Sequence, residues 1–213
     1  MFKKKAYIGI SFIILIFGIY AIPKIIDRVQ GNAVVKSDRL DKDSGAGIAA
    51  ESLVDIGKAP SFEFTNQDNK TINNASYDGK VYVLEFFFTT CPSICPKMNE
   101  NMLEIEKKFF GNPNFGIVSI TINPELDTPE VLKKHAKDLG ITSSNWNLLT
   151  GDRDYIYNIA NKGFNLYAGK NSAIDGGFEH SGFFALIDKK GKIRCRTDEY
   201  KNPIMYYDGI ERP

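Results

Sequence analysis

The stretch that most constrains this chain is Val81–Met98, VYVLEFFFTTCPSICPKM, which joins a run suited to a buried strand to two cysteines and then to a helix. Val81 to Phe88 is apolar, β-branched and aromatic, broken only by Glu85. It lacks the alternation of a strand wet on one face, so it predicts a central strand covered on both sides. From Pro96 to Phe110 the apolar residues Met98, Met102, Leu103, Ile105, Phe109 and Phe110 recur near a helical period. A helix begun at Pro92 would place Pro96 in its interior, where the ring crowds the preceding turn and no N–H is available. Pro96 is therefore read as the first helical residue. Cys95 then sits at or next to the N-cap, with Cys91 on an irregular turn before it. The positive end of the helix dipole favours thiolate, so Cys95 at least is expected to be more acidic than a free cysteine. The competing reading is a structural disulfide or two small buried hydrophobes. A helix N-terminus and a very short closed loop argue against it.

The length of 213 residues and a hydrophobic content of 43% allow one domain of ordinary size plus extras. The net charge is +1, with acids and bases interspersed and no basic stripe among aromatics, so no nucleic-acid partner is expected. The N-terminus departs from this average. Lys3, Lys4 and Lys5 precede a mostly apolar uncharged run from Ala6 to Ile22, near the short end of what spans a bilayer. Phe17 to Pro23 makes a poor cleavage site. Residues 1–23 are thus expected to be an uncleaved single-pass anchor whose lysines stay in the cytoplasm. Residues 24–58, charged and without sustained periodicity, read as a flexible tether, and residues 59–213 as the folded domain. Thiols outside the cytoplasm meet an oxidising environment, so two free cysteines there would need a reductant or a metal.

Along that domain, Phe62, Phe64 and Ile72 flank a polar turn at Asn66–Lys70, predicting a hairpin at one sheet edge. After the cysteine helix, Phe115 to Ile122 reads as a second buried strand, which with the helical crossover makes a parallel pair. Thr128, Pro129 and Glu130 predict a helix start, and Gly140 its end. Trp146 to Leu149 predicts a short strand, and Asp152 caps a helix running through Ala160 to a stop at Gly163. A long connection from Asn165 to Glu179 leads to His180, a loop length that often signals function. A terminal hairpin, Phe183–Ile187 and Ile193–Thr197, closes the domain. The expected class is α/β, a mixed sheet flanked by helices with the thiols at the carboxyl end of a central strand, where open sheets place their ligand sites.

Two thiolates with three residues between them form a soft pair, suited to Cu(I), zinc or iron–sulfur chemistry. Structural zinc usually takes four ligands. His180 is the one further strong candidate in a suitable place, giving a Cys2His set that fits copper with a position open for handing the ion on. Spacing alone leaves His180 open, since a lone histidine is as readily a satisfied surface residue. His135, among Lys133, Lys134 and Lys137, reads as part of a solvated face. Cys195, between Arg194 and Arg196, reads as a buried strand residue facing away from them.

Three segments carry a resemblance: FFFTTCPSICPKM at Phe86–Met98, SITINPELDTPEVLKKHA at Ser119–Ala136, and His180–Ser181 ahead of a strand and a D-x-x-G turn. From about Ala59 to Gly209 the chain resembles the Sco/SenC copper-chaperone proteins. The resemblance implies a thioredoxin-like fold and a copper ion held by Cys91, Cys95 and His180. It further implies a metallochaperone, rather than an enzyme, that delivers copper to cytochrome c oxidase subunit II or a related copper protein. The membrane would be reached through the N-terminal helix, with the domain on the extracytoplasmic side of a bacterial plasma membrane. The competing function is a thiol–disulfide reductase of that subunit's copper-ligand cysteines, with Cys91 attacking and Cys95 resolving. Asn123-Pro-Glu-Leu-Asp127 resembles the family's D-P-E-R-D, with Asn123 and Leu126 replacing its first acid and its arginine. Glu179 stands where aspartate is common and could supply charge beside the histidine.

Overall fold

The structure, a computed structural model, describes residues 53–211 together with 15–17, 19 and 20. The expected anchor falls mostly, and residues 24–52 of the tether wholly, outside the described residues. Residues 15–17, 19 and 20 are helical and exposed. Among the described residues no helix is long and apolar enough to cross a membrane.

The domain is built on a ten-stranded mixed sheet. Its central strand is β4 (Val81–Phe87), buried along almost its whole length, followed by helix α1 (Cys95–Phe109). β5 (Phe115–Thr121) runs parallel to β4 from Val81↔Phe115 to Phe87↔Thr121. Helix α2 (Pro129–Leu139) then leads to β6 (Trp146–Thr150), parallel to β5. Thr128 caps α2 by accepting from the Val131 N–H, and Gly140 ends it at φ 78°, a conformation that a side chain would strain.

Both crossovers step the same way across the sheet, so right-handed connections place α1 and α2 on one face. Neighbouring β4 side chains report the two faces. Phe87 stacks on His135 of α2, whereas Phe86 meets the edge of Phe164, beyond helix α3 (Arg153–Asn158). A β4 coated on both faces is what its unbroken apolar run requires. Asp152 caps α3 by accepting from the Tyr155 N–H, and a π-helical turn at Ile159–Phe164 extends it one residue past the expected stop at Gly163.

The remaining strands, among them β1 (Val54–Lys58), β2 (Glu63–Asn66), β3 (Thr71–Asn73), β9 (Phe183–Ile187) and β10 (Lys192–Thr197), complete the order β1-β10-β9-β4-β5-β6-β2-β3. The expected edge hairpin is β2 (Glu63–Asn66) with β3 (Thr71–Asn73), and β2 pairs antiparallel with β6. The expected closing hairpin is β9 (Phe183–Ile187) with β10 (Lys192–Thr197). It is not terminal, because two short strands, β11 (Pro203–Ile204) and β12 (Tyr207–Asp208), follow and pair with β10 and β9.

Two expectations are corrected here. Residues 54–58, read as the end of the tether, are β1 (Val54–Lys58), antiparallel to β10. The largely exposed sequence VDIGK has no local strand signal; its partner supplies the structure from more than a hundred residues away. The long connection is likewise not plain loop. It contains β7 (Ala168–Lys170) and β8 (Phe178–His180), a separate two-stranded ribbon in which Ala168 faces His180.

Candidate metal centre

β4 ends at Phe87, the still-buried Phe88 follows, and residues 89–94 form an irregular segment before the helix. Cys91 donates its N–H to the Phe88 carbonyl at 3.2 Å. Helix α1 starts at Cys95, one residue before the expected Pro96, which still occupies the first turn. Ile94 is its cap, and the Ile94 carbonyl accepts from the N–H groups of Lys97 and Met98. Cys95 is thereby drawn into the core at 2% exposure, while Cys91, four residues earlier, stays half-buried. Both are free thiols.

His180 reaches the same point from the ribbon and is itself buried. Its Nε2 lies 3.1 Å from Cys95 Sγ, and its Nδ1 lies 3.1 Å from the Ser181 carbonyl oxygen. A carbonyl can only accept, so Nδ1 carries the hydrogen and Nε2 turns its lone pair to the sulfurs. The donor atoms of Cys91, Cys95 and His180 all lie within 4.8 Å of one another. The three residues singled out in the sequence are therefore assembled into one site. Phe88 walls it, meeting the His180 ring edge-on at 6.1 Å and Phe178 at 5.5 Å.

The acidity of the two thiols is the reverse of the sequence expectation. The Cys95 thiol donates towards Cys91, and this holds the Cys91 pKa far below the ordinary thiol range. The same bond, reinforced by burial, pushes Cys95 well up. The helix dipole acts on Cys95, but the interaction with the neighbouring sulfur and the loss of water outweigh it. The pair thus holds one thiolate, on the sulfur nearer solvent.

Beneath these residues lies a group the sequence reading treated only as an interruption. Glu85 is 1% exposed on β4; its Oε1 accepts from Ser119 Oγ at 2.7 Å, and Ser119 Oγ accepts in turn from Trp146 Nε1 at 3.0 Å. Its second oxygen has no partner. Burial raises the Glu85 pKa to about 7, opposed by the Ser119 hydrogen bond and by attraction to His180. The available signal was a single acid inside an eight-residue apolar run.

Asp127 keeps the last acid of the D-P-E-R-D pattern that this segment resembles. Its side chain is completely buried and accepts from the Thr89 N–H at 3.2 Å, from Thr89 Oγ1 and from Thr121 Oγ1. Nearby, Asn123 is buried and Leu126 is exposed. Glu179 does not stand beside the imidazole. Strand alternation points it away, and its exposed carboxylate accepts from Asn171 Nδ2 at 2.9 Å. His135 is not on a solvated face: it is half-buried, packed on the Phe87 ring at 5.8 Å, with a pKa lowered by burial. Cys195 is buried within β10 as expected, away from the site.

The fold and the site together define a thioredoxin-like domain with a dithiol–imidazole centre at the carboxyl end of its central strand. The sequence model of the SCO1/SenC family matches residues 54–212, and the chain belongs to that family. A curated relative, the SCO1 protein homolog of Bacillus subtilis, is 35% identical over 152 residues, covering 70% of this chain and 73% of its own. The solved structure of BsSco, a member of the Sco family of cytochrome c oxidase assembly proteins in which a disulfide switch was identified, is 31% identical with a TM-score of 0.61. That match covers 74% of this chain and 87% of BsSco. Yeast Sco1 with copper bound is 25% identical with a TM-score of 0.52, over 64% of this chain and 76% of that one.

Proposed function

We propose that this chain is a membrane-anchored metallochaperone. It holds copper on Cys91, Cys95 and His180 and passes the ion by ligand exchange to the copper site of cytochrome c oxidase subunit II or a related copper protein. The observation that carries this reading is the donor set: two sulfurs and one imidazole nitrogen within 4.8 Å. Soft sulfur with imidazole suits copper, and three donors leave a position through which the ion can leave. Copper bound in yeast Sco1 and the oxidase-assembly role of the BsSco family support the same choice. The lysines ahead of the apolar run from Ala6 to Ile22 support an N-terminal anchor with the domain on the extracytoplasmic side.

Copper is cargo here, and the chain's own residues divide the work. Cys91, half-exposed and already a thiolate, is placed to meet an incoming ion first. Cys95 gives up its proton on binding, and the hydrogen bond from Nδ1 to the Ser181 carbonyl fixes the ring so that Nε2 is the donor. The test is an anaerobic Cu(I) titration of the full-length chain against a competing chelator. Tight one-to-one binding that weakens in both Cys91→Ser and His180→Ala supports the reading. Affinity unchanged in either variant overturns it.

A second reading, a thiol–disulfide reductase, is favoured by one observation: an acidic, accessible Cys91 beside a buried, proton-bearing Cys95. The Cys91 thiolate would attack a partner disulfide and release one partner thiolate. Cys95, losing its proton, would then displace the second, leaving an oxidised Cys91–Cys95 pair and a reduced partner. A variant that no longer binds copper but keeps thiol–disulfide exchange and still restores oxidase assembly would favour this role.

A further inference from the structure

The segment carrying Cys91 makes few hydrogen bonds of its own. Of residues 88–91, Cys91 donates back to Phe88, and Thr89 turns both of its donors outward to a carboxylate 38 residues further along the chain. That carboxylate is Asp127. Its Oδ1 takes the Thr89 hydroxyl, and its Oδ2 takes the Thr89 N–H together with the Thr121 hydroxyl. Thr121 is the last residue of β5 and pairs with Phe87, the last residue of β4. Its hydroxyl also accepts from the Asn123 N–H at 3.0 Å, so the loop carrying Asp127 is tied to the same strand end. The Asp127 N–H bonds to the Asn123 carbonyl at 2.9 Å, which fixes where the carboxylate can reach.

A fully buried carboxylate is costly unless every lone pair facing the protein is used. Here the partners are one backbone N–H and two hydroxyls, with no arginine or lysine among them, so neutralising a cation is not its task. What the arrangement does is fix the backbone two residues before Cys91. We propose that Asp127 is the positioning residue of the site. It pins the segment that carries Cys91 to the carboxyl ends of β4 and β5, so that the first sulfur stays within reach of Cys95 and His180 before any ion arrives. This rests on the copper-binding reading but concerns a residue that touches none of the three donors. The absence of a cation among its partners also separates this role from any ion pairing at the positions held by Asn123 and Leu126.

The test uses the full-length chain and a graded set at both ends of the contact. Asp127→Asn loses the charged acceptor; Thr89→Val keeps the shape of threonine without its hydroxyl; Thr89→Ser restores the hydroxyl without the methyl. Two readouts are taken: amide hydrogen exchange across residues 86–94 of the metal-free protein, and Cu(I) affinity by chelator competition. The proposal expects faster exchange confined to that segment and a loss of affinity of roughly tenfold in Asp127→Asn and Thr89→Val, as for other partners that orient a ligand. Thr89→Ser should stay within about twofold of wild type on both. If Asp127→Asn does not fold, the two Thr89 variants decide the matter. Thr89→Val with wild-type exchange and affinity overturns the proposal, as does Thr89→Ser failing as badly as Thr89→Val. A wild-type chain that binds no copper would remove the copper reading, while the exchange comparison would still judge the pin.

Discussion

The two arms of the metal centre are built to different standards. The dithiol arm grows out of β4, paired with β5 along seven residues and covered on both faces, and continues into a fifteen-residue helix. The imidazole arm is a ribbon of two three-residue strands that pair only with each other. Isolated two-stranded ribbons are marginal by themselves, so His180 owes its position to what the ribbon packs against. The contrast separates the donors: the sulfurs stand on the main sheet and its helix, the imidazole on a ribbon outside that sheet's hydrogen bonding.

The largest expected effect strikes the better-built arm. Cys95→Ser should lower Cu(I) affinity by more than about a hundredfold, beyond the range found for outer partners of a ligand. Chelator competition measures it, and a loss no larger than that of His180→Ala would break the comparison. Next comes the acid beneath the same arm. Folded Glu85 keeps its proton up to about pH 7, whereas the unfolded chain releases it near 4.5. The folded state therefore binds more protons across that interval, and the stability contributed is full below the lower value and lost as pH rises through the upper. Glu85→Gln should flatten the pH dependence of the urea midpoint and stabilise the fold by about 3 kcal/mol at pH 8. An unaltered slope would show that the carboxyl is ionised in the folded state.

On the ribbon side, His180→Ala should cost roughly ten- to a hundredfold in Cu(I) affinity with the thermal midpoint little changed, since the sulfurs remain. The two thiols are told apart by alkylation of the metal-free, reduced chain. Because hydrogen bonding lowers the Cys91 pKa, its thiolate persists after a free thiol would be protonated, so its labelling should still be at plateau at pH 6. Cys95→Ala removes the donated hydrogen bond of the thiol and should move that profile back towards neutrality. The smallest effect is expected at Gly176, held at φ 89°, where an added Cβ would lie 3.0 Å from Pro92 and 3.1 Å from Phe88. Gly176→Ala should cost about 1–2 kcal/mol of stability and only a few-fold in affinity, measured by the same two assays.

The same contrast explains what could be read from the sequence. The dithiol arm was legible because its signals are local: an unbroken apolar strand, two prolines that fix the helix start to within a residue, and a Thr-Pro-Glu cap on the next helix. The ribbon was not, because Ala-Gly-Lys and Phe-Glu-His carry no strand pattern, and His180 became the favoured ligand through resemblance rather than spacing. β1 was missed for a related reason, since its exposed residues gain their conformation from β10. The thiol acidities were inverted because the helix dipole can be inferred from sequence, whereas a sulfur-to-sulfur hydrogen bond exists only after folding. Glu85 and Asp127 show the same limit in carboxylates: their partners, Ser119, Thr89 and Thr121, lie on neighbouring segments of the sheet end.

The direction of β1 has one further consequence. Counting antiparallel steps across β10 and β9, β1 runs opposite to β4, so Leu53 enters the sheet at the end where β4 delivers its cysteines. Three strand spacings separate β1 from β4, about 14 Å. Leu53 and the dithiol segment therefore lie at the same pole of the sheet.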